Sequence, residues 1–245
     1  MKRLKGQVAL ITGSGRNMGR EIACALAREG ADLVVNYRFS EEEAKKTVEE
    51  TENFGVKAIL YKADVSKVTE IEGMVQKTME TFGKIDILIN NAGIFMRTPL
   101  KDLTEEKWGE VLDTNLKSVL FTTKAVSEGM LQKKRGKILN IADVGGLRPW
   151  PGYLAYCISK AGVIMATKGL AKTLAPDIQV NCIAPGTITV PEELSEERKE
   201  KLKDQIPLKR FGSYQDVVNA VLFLLCDTSY LTGQTLVLDG GGVLN

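Results

Sequence analysis

At 245 residues and 44% hydrophobic side chains, the chain can bury a substantial core without disulfides or metals. Its net charge is +2, with acids and bases mixed throughout, which excludes the basic balance of a nucleic-acid or membrane-surface protein. Histidine is absent, which excludes His-based triads and His metal sites and leaves tyrosine, lysine and carboxylates for acid–base work. Four widely spaced cysteines (Cys24, Cys157, Cys182, Cys226), no apolar run near ~20 residues and a strand pattern beginning at Gln7 imply reduced thiols, no membrane span and no leader, hence a cytoplasmic protein.

The first apolar run, VALIT (8–12), leads through Thr12-Gly13-Ser14-Gly15-Arg16-Asn17-Met18-Gly19 into a helix over 18–29. Glycines in such a turn let the backbone approach a pyrophosphate at the helix N-terminus, where free N–H groups favour anions. Asn17 stands where a glycine would be easier, and Asn tolerates the left-handed conformation better than other side chains. The second run, 32–36, ends at Tyr37-Arg38-Phe39-Ser40 without the acid that would bind an NAD ribose; Arg16, Arg38 and Ser40 make a phosphate clamp that favours NADP(H) over NAD(H). Ser40 and Glu43 form a capping-box pattern for a helix over 40–54.

Further runs at 58–61, 86–90, 137–141, 179–184 and 235–239 alternate with helical patterns at 69–82, 104–134, 155–175 and 213–226. Seven strands alternating with helices predict an α/β, doubly wound Rossmann fold with a parallel sheet, in a single domain over 1–245 without linkers or repeats. The segment from Thr187 to Ile206 breaks the rhythm and is placed to act as a substrate lid. Within the helix at 155–175, Tyr156 and Lys160 lie one turn apart on one face, so that the ammonium is expected to lower the phenol pKa for proton transfer.

Together, the glycine-rich turn, Asn90-Asn91-Ala92-Gly93, Asn115, Tyr156-Cys157-Ile158-Ser159-Lys160 and Pro185-Gly186-Thr187-Ile188 resemble the short-chain dehydrogenase/reductases from Val8 to Gly242. The resemblance implies cofactor contacts from Asp64 and Val65, from Asn91, Ala92 and Gly93, and from Pro185, Gly186 and Ile188. It also implies an Asn115–Asp143–Tyr156–Lys160 tetrad in which Tyr156 protonates substrate. Lys160 would lower its pKa and bind the nicotinamide ribose, and Asn115 would hold a water linking Lys160 to solvent. The family usually has serine at position 143; Asp143, Pro151-Gly152-Tyr153 and Tyr156-Cys157 look closer to the pteridine reductases of the family. An ionised carboxylate cannot donate to a ketone oxygen and would oppose a developing alkoxide, whereas it suits a ring with N–H donors and a nitrogen to protonate.

In that subgroup a Phe at the place of Phe95 stacks on the pterin; on chemistry alone, packing under the sheet edge is an equal alternative, and Trp150 fits either the pocket mouth or a subunit contact. Gly93 departs from the subgroup's Ser, and Val190 from the family's Thr, while Pro191-Glu192 matches the subgroup. The expected activity is NADPH-dependent reduction of a dihydropterin ring C=N. Alternatives are a carbonyl reductase of the 3-oxoacyl-(acyl-carrier-protein) reductase type and a non-catalytic NADPH-binding protein. The resemblance also implies a homo-oligomer, commonly a tetramer.

Overall fold

The computed structural model describes residues 2–190 and 194–244; Pro191 and Glu192 lie outside these. Seven strands form one parallel sheet in the order β3-β2-β1-β4-β5-β6-β7. They are β1 (Val8–Ile11), β2 (Asp32–Tyr37), β3 (Ala58–Lys62), β4 (Ile87–Asn90), β5 (Gly136–Ile141), β6 (Ile178–Pro185) and β7 (Thr235–Leu238). Each lies within a residue or two of its apolar run.

The period of two in a strand sends neighbouring side chains to opposite faces, and in the central strands both faces are covered, whereas edge strand β7 is partly exposed. Ala9 and Ile11 pack with α1 (Asn17–Arg28) and α8 (Tyr214–Leu222), while Leu10 packs with Met74 of α3 (Val68–Phe82) and Met130 of α5 (Ser118–Gln132). Fully burying a side chain such as Leu10 stabilises by roughly 1.5–3 kcal/mol, which is why these strands read as unbroken apolar runs. Strand order reverses between β1 and β4, and this switch point opens a crevice at the carboxyl ends of the strands. No helix among the described residues is long and apolar enough to cross a membrane.

Three sequence expectations need correction. The 104–134 stretch is continuously helical but not regular: a π turn, Asp113–Lys117, lies between α4 (Glu105–Leu112) and α5. The 213–226 stretch likewise divides into α8 and a π turn, Phe223–Asp227. Ser40 precedes α2 (Glu41–Glu52), but its side chain makes no capping bond, because its backbone (ψ 65°) leaves the extended region that a cap requires. The capping box forms at Ser213–Asp216 instead. The remaining helices are α6 (Leu154–Leu174) and α7 (Glu196–Asp204), the latter inside the segment read as a lid.

Candidate active site

The crevice is a cleft of about 370 Å³ lined by the β1–α1 turn, the ends of β2 and β3 and the loop after β4. Its floor is tightly built. Thr12 Oγ1 accepts from the N–H groups of Asn91 and Ala92, both at 3.0 Å, and Asn91 Nδ2 donates to the carbonyls of Thr12 and Gly13. A Cβ on Gly13 would come 2.9 Å from Ala92 Cα, and one on Gly19 would collide with the Gly13 carbonyl. Asn17 does adopt the left-handed conformation, at φ 50°. The first turn of α1, Asn17 to Gly19, lines the cleft and carries no acid, which suits its N-terminus to an anion. This cradle fits the pyrophosphate of a dinucleotide.

Ser14 is turned away from the cleft: its Oγ donates to the Ile11 carbonyl and accepts from Asn36 N–H. Asn36 was missed in the sequence. Its Oδ1 receives Gly13 N–H at 3.0 Å while its Nδ2 donates to the Tyr61 and Ala63 carbonyls, tying the turn to β3. Among strand residues its only sequence signal is an amide in an otherwise apolar run.

At the far end, Arg16, Met18, Tyr37, Arg38, Ser40, Asp64 and Val65 line the cleft. The two arginines are not equivalent. Arg38 pairs with Asp64 at 3.0 Å and lies over the Phe39 ring, whereas Arg16 has no side-chain partner among the described residues. Burial works to raise the Asp64 carboxyl, but two hydrogen bonds from Ser66 and the Arg38 charge outweigh it and hold it low.

Asp143, Tyr156, Lys160 and Asn115 meet beyond the β4 loop. Tyr156 Oη donates to Asp143 Oδ2 at 3.0 Å, and Asp143 Oδ1 accepts from Gly145 N–H at 2.6 Å. Lys160 Nζ donates to the Ile141 carbonyl at 3.0 Å and sits 5.8 Å from the Tyr156 ring centre. Asn115 clasps Ile94 through both backbone groups, at 2.8 and 3.0 Å, and donates to Ser159 Oγ. Gly93 lies between them: a Cβ there would be 3.3 Å from Asn115 Oδ1 and 3.5 Å from Lys160 Nζ.

The electrostatics differ from the expectation that Lys160 lowers the phenol pKa. Burial, then the Asp143 charge, pushes Tyr156 well above the ordinary phenol range. Burial raises the Asp143 carboxyl despite Gly145 and Lys160, and burial lowers the Lys160 ammonium. The ammonium bonds a carbonyl below the ring rather than the phenol oxygen, so its help is small. The chemical result is a hydrogen-bonded acid pair that retains a proton over a wide pH range.

Aromatic rings wall this pair. Phe95 is 61% exposed and stacks on Tyr153 (centroids 4.5 Å, 10°), meeting Tyr156 edge-on at 4.8 Å. Trp150 lies nearly parallel to Tyr156 at 6.2 Å and lines the neighbouring cavity. Thr98 N–H donates to the Gly152 carbonyl at 2.7 Å, stitching the Phe95 segment to the Tyr153 segment. A second cavity, about 440 Å³, opens behind Trp150 and is bounded by Val144, Arg148, Gly186, Leu202 and Ile206. Pro185 is buried at the end of β6, Ile188 is half-buried against the core, and Thr189 is exposed. Among the described residues no cluster of His, Cys, Asp and Glu could hold a metal, and the four cysteines are free.

A family model described as enoyl-(acyl carrier protein) reductase matches residues 13–242. The 3-oxoacyl-(acyl-carrier-protein) reductase of Staphylococcus epidermidis is 41% identical over 237 residues, covering 95% of this chain and 97% of that one. That of Synechocystis is 41% identical over 248 residues and covers both chains fully. Among solved structures, a putative short-chain alcohol dehydrogenase from Sinorhizobium meliloti superposes with a TM-score of 0.93 at 32% identity, covering 100% of this chain and 99% of that one. An NAD+-bound xylitol dehydrogenase superposes with a TM-score of 0.91 at 31% identity, covering 98% of this chain and 100% of that one. With the crevice, the glycine-rich turn and the Tyr156–Lys160 helix in place, the chain belongs to the short-chain dehydrogenase/reductase family of nicotinamide-dependent oxidoreductases.

Proposed function

We propose that this oxidoreductase uses NADPH to reduce a ring C=N of a dihydropterin. The observation that carries the reading is the hydrogen bond from Tyr156 Oη to Asp143 Oδ2 beneath an exposed, stacked Phe95. Thr12, Gly13, Arg16, Asn17, Gly19, Asn91, Ala92 and Gly93 would hold the dinucleotide, with Lys160 and Ile188 toward its nicotinamide end. When bound, the cofactor supplies hydride to the ring carbon. The ring nitrogen takes a proton, and burial equips the Asp143–Tyr156 pair to hold that proton at neutral pH and release it to a base. Phe95 and Tyr153 offer flat faces against which a heterocycle is oriented, worth about 1 kcal/mol beyond area burial. The segment around α7, whose Leu202 and neighbouring Ile206 face the second cavity, covers the substrate.

A second reading is favoured by the relatives named above: reduction of a 3-oxoacyl thioester. It requires a donor to the forming alkoxide, and Asp143 serves only in its protonated form. The two separate in one assay of NADPH consumption with dihydrobiopterin and an acetoacetyl thioester side by side. Faster pterin turnover, cut roughly 10²–10⁴-fold by Tyr156→Phe and lowered by Asp143→Ser, is expected. Faster thioester turnover, raised by Asp143→Ser, would replace the pterin reading with the carbonyl one.

Cofactor choice has its own test. Arg16→Ala and Arg38→Ala are each expected to weaken NADPH binding more than NADH binding, because only NADPH carries the 2′-phosphate. Equal losses for both dinucleotides in titration calorimetry would remove the preference.

A further inference from the structure

Four buried hydroxyls have no hydrogen-bond partner among the described residues: Thr98, Thr114, Thr122 and Thr235. A buried, unpaired polar group costs about 1–3 kcal/mol, so each calls for an explanation. Only Thr114 of the four lines the dinucleotide cleft. It is 6% exposed, and it shares that wall with Asn91, Ala92, Gly93 and Ile94.

Its position has a local cause. Thr114 lies in the π turn Asp113–Lys117, next to Asn115, whose amide clasps Ile94. That clasp fixes the turn against the β4 loop, so the neighbouring threonine is held at the cleft wall with its hydroxyl buried and unpaired. Single π turns inside α-helices often mark functional sites for this reason. In a regular helix a threonine hydroxyl commonly bonds the carbonyl four residues back, as Thr78 and Thr167 do here. Thr114 makes no such bond.

We infer that Thr114 is a cofactor-binding residue whose hydroxyl completes its hydrogen bonding on a polar atom of the bound dinucleotide. The inference rests on the cleft taking NADPH, as proposed above. In the free protein the hydroxyl goes unserved by protein groups; in the complex it gains a partner, so its contribution falls on affinity rather than on folding.

The test uses equilibrium titration of NADPH against wild type, Thr114→Val and Thr114→Ser, with thermal unfolding of each protein free of cofactor. Valine keeps the shape and removes the hydroxyl; serine keeps the hydroxyl. The expected result is a roughly three- to tenfold weaker NADPH affinity for Thr114→Val, near wild-type affinity for Thr114→Ser, and a free Thr114→Val protein at least as heat-stable as wild type. Thr114→Ala serves the same comparison should the valine variant fold poorly. Unchanged affinity in Thr114→Val overturns the inference and assigns the hydroxyl to solvent. Lower heat stability of free Thr114→Val also overturns it, since the hydroxyl would then serve the fold. If wild type binds no NADPH, the cofactor proposal fails and this inference falls with it; wild-type binding that is insensitive to Thr114→Val sinks this inference alone.

Discussion

Asp143 is a carboxylate that the fold holds against its solvation. Burial raises its pKa, and Gly145, Lys160 and Tyr156 recover only part of the loss. The folded state therefore resists ionisation: stability is lost as pH rises through the unfolded value of about 3.9 and levels off above the raised folded value. An asparagine at this position would be neutral and nearly isosteric, so Asp143→Asn is expected to raise Tm at neutral pH while losing turnover, with the Tm gain vanishing in acid. Unfolding scans from acid to neutral pH check this; an equal or lower Tm for Asp143→Asn at neutral pH would mean that attraction to Lys160 outweighs burial. The spacing of Asp143, Tyr156 and Lys160 was readable in the sequence. What escaped reading was which atom each polar group reaches, because the Ile141 carbonyl that takes Lys160 and the Ser66 hydroxyl that occupies Asp64 depend on backbone paths between elements.

The elements divide into those fixed by pattern and those fixed by a hydrogen-bond detail. Periodicity located every strand: burial on both faces writes a strong apolar signal in the central ones, and partly exposed β7 still carries a Leu-Val-Leu run. It could not locate the π turns, because each flanking segment keeps its own helical period and the turn only shifts the phase between them. Ser40 and Ser213 each have an acid three residues on; only the backbone at Ser213, extended at φ −128° and ψ 163°, lets the side chain turn back. Asn17 is the complementary case, in which a side chain's known tolerance anticipated its conformation. Asn17→Gly is expected to leave stability within a few tenths of a kcal/mol, and Asn17→Ala to cost about 1 kcal/mol through left-handed strain. Urea unfolding measures both; an alanine variant as stable as wild type would show that the turn relaxes.

At the scale of the molecule, the sheet and its switch point followed from the strand–helix alternation, while the outer surface did not. α6 exposes Leu154, Ile158 and Met165 along one stripe, and α5 exposes Leu120 and Leu131. Helices with this much uncovered apolar surface suit a second copy of the chain, and we propose a homo-oligomer, with a tetramer as the family resemblance implies. Light scattering at micromolar concentration is expected to give a mass above the monomer, reduced by Ile158→Glu with Met165→Glu; a wild-type monomer would end the proposal. The π turn at Asp113–Lys117 has one more consequence, for how such a chain can change. Removing one residue there would restore regular helix with Val119, Val126 and Met130 still turned to the core, but it would take away the wide turn from which Asn115 reaches Ile94. The extra residue is thus tolerated by the interior and needed at the cleft. The chemistry of this fold is free to drift by exchange of side chains, as the carboxylate at 143 illustrates, while its count of residues through the turn is not.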